Sequence, residues 1–107
     1  MNRVPKKNSG SFKHSIAFLL VRELSGAVVT MTSNGLDVTL TTDSGKPVAV
    51  HIHYLVMECA NGSYYDYWTV TCPEIEKQTM IHYYTDGKNH DMYKRIVKAV
   101  VDMKELI

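Results

Sequence analysis

Asn-Gly occurs twice in this chain, at Asn34-Gly35 and Asn61-Gly62, each time between runs that alternate apolar and polar residues. No other feature restricts the fold as strongly. In a two-residue type I′ hairpin loop both central residues take positive φ, which asparagine and glycine tolerate, and the loop then fixes which side chains share a face. Around Asn34-Gly35 such a turn puts Met31 opposite Val38 and Val29 opposite Leu40. Ala27, Val29, Met31, Leu36, Val38 and Leu40 then form a dry face, and Val28, Thr30, Thr32, Asp37, Thr39 and Thr41 a wet one.

Asp43-Ser44-Gly45 reads as a three-residue hairpin loop with Gly45 in the left-handed position, pairing Leu40 with Val48 and Val38 with Val50. Opposed residues share a face, so Val48, Val50, Ile52, Tyr54 and Val56 join the dry side. A second type I′ turn at Asn61-Gly62 places Leu55 opposite Trp68, His53 opposite Val70 and His51 opposite Cys72. The second face of this hairpin then carries His51, His53, Leu55, Met57, Cys59, Tyr64, Asp66, Trp68, Val70 and Cys72. Its first strand, Val48 to Cys59, outruns the strands before it, so the tip is expected to project past the sheet or to bend through a bulge. Gln78–Thr85 reads as a fifth strand whose register is open after Pro73.

Helical spacing brackets the strands. Phe12, Ile16, Leu19, Leu20 and Leu24 predict a helix over Phe12–Leu24. Met92, Tyr93, Ile96, Val97, Val100, Met103 and Ile107 form one stripe of a second, amphipathic helix within Asn89–Ile107, with Asp86 or Asn89 as its cap. The expected class is α+β: an N-terminal helix, an antiparallel meander of four to five strands, and a C-terminal helix packed on the sheet. A chain of 107 residues suits one domain, residues 11–107, preceded by a flexible basic arm, residues 1–10, with Arg3, Lys6 and Lys7.

Composition excludes more than it assigns. A formal net charge of +1 gives no bulk attraction to nucleic acid or membrane. The apolar run Ile16–Val21 is too short for a signal or a membrane span. Two cysteines, Cys59 and Cys72, match no zinc spacing and make no disulfide framework, which places the chain in a reducing cytoplasm. Dinucleotide and phosphate-loop fingerprints are lacking and the acidic residues form no catalytic motif, so neither a cofactor nor an enzymatic activity is expected.

The second hairpin face is too apolar to be plain wetted surface. It needs a cover: a helix of the same chain, a second copy stacked sheet on sheet, or a different macromolecule. The leading expectation is a small non-enzymatic protein-binding domain, an accessory or inhibitor protein of the kind phages and mobile elements encode. It would act through Leu55, Met57, Tyr64, Tyr65, Tyr67 and Trp68 on another protein or a second copy of itself. One alternative is a dimeric single-stranded nucleic-acid binder, stacking bases on Tyr54, Tyr64, Tyr65, Tyr67, Trp68, Tyr83 and Tyr84, with Lys94, Arg95 and Lys98 as its basic cluster. Another is a zinc or copper site at His51, His53 and Cys72, joined by His82 if the fifth strand's register allows.

Overall fold

In the computed structural model, residues 10–82 and 92–107 are described. Helix α1 (Gly10–Glu23) leads into β1 (Val28–Thr32), β2 (Gly35–Thr41), β3 (Pro47–Glu58) and β4 (Tyr64–Cys72). A single 3-10 turn, Pro73–Ile75, precedes β5 (Lys77–His82), and α2 (Met92–Lys104) follows. The strands form one antiparallel meander in the order β1-β2-β3-β4-β5. This is the expected α+β architecture. Of the expected basic arm only Gly10, which opens α1, is among the described residues; Tyr83, Tyr84, Asp86 and Asn89 lie outside them.

The core lies on one side of the sheet. Leu36, Val38 and Leu40 of β2, Val48, Val50, Ile52 and Tyr54 of β3, Trp68, Val70 and Cys72 of β4 and Ile81 of β5 are all buried. The pairings put them on one face. Ile16 and Leu20 descend on it from α1, Leu24 from just past the end of that helix, and Met92, Ile96, Val97, Val100 and Met103 from α2. Four-residue spacing in α1 and the broad stripe of α2 each present one apolar face downward. Both described helices therefore lie on the same side, and a helix crossing to the other face is ruled out among them.

The three hairpin loops decide which side chains share in that core. Between β2 and β3 the structure matches the sequence reading: Leu40 pairs with Val48, Val38 with Val50, and Gly45 sits at φ 90°. Between β1 and β2 the turn lies one residue earlier than expected, since Thr32 pairs with Gly35 and Val29 with Val38. Neither Ser33 nor Asn34 has positive φ, and Gly35 lies outside that region too, so this is not a type I′ turn. The register moves by two residues, which keeps every side chain on its expected face.

The third loop differs by one residue. Cys59 N–H donates to Ser63 O at 2.8 Å and Gly62 N–H to Cys59 O at 2.9 Å, so Ala60, Asn61 and Gly62 form the loop, with Gly62 alone at positive φ, 86°. The Asn61 side-chain oxygen accepts from the Ser63 N–H at 3.0 Å and its hydroxyl at 2.6 Å, tying the loop from within. One residue of slip inverts β4 relative to β3. Tyr54, not Leu55, pairs with Trp68, and Ile52 pairs with Val70. Trp68, Val70 and Cys72 consequently face the helices. The hairpin does outrun the sheet: β3 beyond His53 has no β2 partner, and β4 before Tyr67 has none in the described part of β5.

Gly62→Ala is expected to cost about 1–2 kcal/mol, because an alanine at that φ is strained. Thermal unfolding would register this as a fall of about 4–8 °C per kcal/mol in a domain of this size.

Candidate functional site: the open face of the sheet

The face turned away from the helices follows from the same pairings. It carries Val28, Thr30, Asp37, Thr39 and Thr41 from β1 and β2, Ala49, His51, His53, Leu55 and Met57 from β3, Tyr65, Tyr67, Thr69 and Thr71 from β4, and Gln78, Met80 and His82 from β5. No described segment covers it.

Its two ends differ. Toward the hairpin tip it is apolar and aromatic. Met57 is 53% exposed, Tyr65 37% and Leu55 36%, while Met80, 50% exposed, stands further back at the β5 edge opposite Thr69. Tyr65, Tyr67 and His82 form a triangle of rings with centroids 5.3–5.6 Å apart, closed by a hydrogen bond between the Tyr65 hydroxyl and His82 Nδ1. Tyr67 and Thr69 are buried within this face. Toward β2 the face is polar. His51 Nδ1 lies 2.8 Å from Asp37 Oδ1, and the His51 and His53 rings stand 5.9 Å apart.

The sequence candidates divide between the two sides. Leu55, Met57, Tyr65 and Tyr67 are brought together on the open face. Tyr64 falls on the helix side at the hairpin tip, half exposed. Trp68 is corrected outright: it is 0% exposed, with its ring 5.4 Å from that of Phe12 and 5.2 Å from that of Tyr54. A side chain sealed between α1 and the sheet cannot contact a partner. The cause is the three-residue loop, which inverts β4. Cys72 is corrected for the same reason: it is buried on the helix side, across the sheet from His51 and His53, and ligates nothing with them.

The basic cluster does not join the open face. Lys94, Arg95 and Lys98 sit on α2, in the helix layer. Lys98 pairs with Asp102 at 3.2 Å and Arg95 donates to the His82 carbonyl at 3.1 Å. No strand residue of the open face is a lysine or arginine. Concave sites among the described residues lie elsewhere: one runs between α1 and α2 past Leu19, Tyr93 and Val97, another between β5 and α2 past Thr79, Ile81 and Met103.

Two contributors escaped the sequence reading. Met80 was hidden by the open register after Pro73. Asp37 was assigned to a wet face, although the expected pairing of Val38 with Val50 already sets it opposite His51. No described helix is long and apolar enough to cross a membrane. Comparison of the chain with protein-family models, with curated proteins and with solved structures finds no match, so what this face does has to be argued from its own chemistry.

Proposed function

We propose that this chain is a non-enzymatic protein-binding domain whose open sheet face docks a second copy of itself, sheet on sheet. The observation that carries the reading is the exposed group of Leu55, Met57 and Tyr65, with exposed Met80 further along at the β5 edge, on a face that both described helices leave bare. An apolar face that neither described helix covers is one that a partner molecule can cover.

Charge favours a protein over a nucleic acid. Neutralising phosphate charge takes lysine or arginine, and the strands of this face supply neither. Among proteins, a second copy fits because the face is nearly neutral: its one carboxylate, Asp37, is partnered by His51. Two such faces related by a two-fold axis oppose apolar to apolar without setting like charges against each other. Five strands about 4.8 Å apart, each about 20 Å long, give a footprint of about 500 Å² before side-chain relief is counted. That approaches the roughly 800 Å² per partner of an ordinary stable interface, with the two sheets about 10 Å apart. Localisation in a reducing cytoplasm, and a role as an accessory or inhibitor protein, are finer parts of the same proposal, supported by the two unbridged cysteines and by the small size of the chain.

Light scattering during size exclusion tests the interface. The chain has a mass of 12.1 kDa, and the expected result is a species of twice that mass. Leu55→Lys with Met57→Lys should weaken it by at least about a hundredfold, since lysines there would be buried without partners. Both side chains are exposed in the single chain, so the circular dichroism spectrum should be retained. A wild-type monomer at every concentration, or a dimer indifferent to the two lysines, would overturn the proposal. Steep salt-dependent binding of single-stranded DNA or RNA would point instead to the nucleic-acid alternative.

A further inference from the structure

The polar end of the open face supports a different kind of site. Asp37, His51 and His53 each offer one ligand atom there, all within 4.8 Å of one another. They come from two neighbouring strands: Asp37 and His51 are directly opposed in the β2–β3 ladder, and His53 follows two residues on, on the same face. We propose that these three residues form a binding site for a divalent transition-metal ion of the zinc class, held by two imidazole nitrogens and one carboxylate oxygen.

Spacing supports this. Two ligands each about 2.0–2.1 Å from a metal are separated by about 2.9 Å when cis at a right angle and by about 3.4 Å at the tetrahedral angle. Asp37 Oδ1 and His51 Nδ1 stand 2.8 Å apart, so this pair already has the bite of two cis ligands. His53 has to close in by about 1–2 Å to reach the same ion, a movement that side-chain rotation supplies. All three side chains are only partly buried, which leaves them room to turn.

The donor set selects the metal. Two imidazoles disfavour magnesium and calcium, which take oxygen, and suit zinc, copper, nickel or iron. Three ligands on one side leave coordination positions open toward solvent, where water or a donor from a docked molecule completes the shell. This replaces the ligand set expected from sequence: the carboxylate of Asp37 takes the place assigned to the Cys72 thiol, which the inverted β4 carries to the far side of the sheet.

Isothermal titration of the untagged chain with Zn²⁺, and separately with Mg²⁺, tests the site. Cys59→Ser provides the background, because that exposed thiol is the obvious competing ligand. The expected result is about one Zn²⁺ per chain in the low micromolar range or tighter, no uptake of Mg²⁺, and at least a tenfold loss of Zn²⁺ affinity in His51→Ala, in His53→Ala and in Asp37→Asn. Zn²⁺ should also shift the imidazole resonances of His51 and His53 in the wild-type chain, ahead of those of His14 and His82, a readout that needs no variant to fold. No zinc uptake, uptake indifferent to His51 and His53, or resonance shifts confined to other histidines would overturn the assignment.

Discussion

Trp68→Ala is expected to remove about 3–5 kcal/mol of folding stability and to lower the urea midpoint by about 2–4 M. The indole is among the largest fully buried side chains, stacked between Phe12 of α1 and Tyr54 of the adjacent strand and paired across the other ladder with Ile81. Truncation removes its apolar area from the core and leaves a cavity lined by groups from both layers, which α1 and the sheet cannot close without moving together. A domain with about 5–15 kcal/mol in hand loses a large share of it. The measurement is direct, since Trp68 is the only tryptophan. Its fluorescence should be blue-shifted in the folded wild type and move to the red in one cooperative step on unfolding. The contrast with Leu55→Lys and Met57→Lys is the useful part: one change should shift stability, the other association. A Trp68→Ala protein of unchanged stability would mean that the ring does not lie beneath α1, and the face assignments of β4 would fall with it.

That inversion of β4 marks the boundary of what the sequence discloses. Helix stripes were legible because Ile16, Leu20 and Leu24, or Ile96, Val100 and Met103, repeat over several turns and one misplaced residue does not change the face. Hairpin parity lacks this redundancy: it hangs on a single loop length. Asn-Gly is compatible both with a two-residue turn and with a three-residue loop in which only the glycine is left-handed, and nothing in the dipeptide distinguishes them. At Asn61-Gly62 the choice falls to the Asn61–Ser63 side-chain bonds and to what β4 gains by burial. The second criterion was available in the strand itself. Trp68, Val70 and Cys72 on one side are a better core than Tyr67, Thr69 and Thr71 on the other, and that alternation outweighs a turn signature. The candidate site was half legible for the same reason. His51, His53, Leu55 and Met57 share β3 and stay together in any register, and Asp37 follows from the correctly read loop at Asp43-Ser44-Gly45. Everything contributed by β4 depended on the loop that was misjudged.

Gly35→Ala should cost about 3 kcal/mol or more, above the effect of Gly62→Ala, even though Gly35 sits at an ordinary strand φ. A Cβ on Gly35 would stand 1.8 Å from the Ile52 carbonyl oxygen, 2.8 Å from its carbon and 3.0 Å from the His53 Cα. All three are backbone atoms, so no rotamer change relieves the clash, and β2 has to part from β3. The separation breaks the ladder at the Gly35–His53 pair and threatens the bond from Tyr54 N–H to Asn34 O, 2.7 Å long. Asparagine separates this account from the turn the dipeptide suggests. In a type I′ turn Gly35 would be left-handed, a conformation asparagine tolerates, and Gly35→Asn would be mild. Where close approach of backbones is the constraint, Gly35→Asn should be as damaging as Gly35→Ala in urea unfolding. The damage should also reach the proposed metal site, because the residue opposite Gly35 is His53 and two positions along β2 stands Asp37. Any Gly35 variant that still folds should therefore bind Zn²⁺ at least tenfold more weakly, without losing a single ligand.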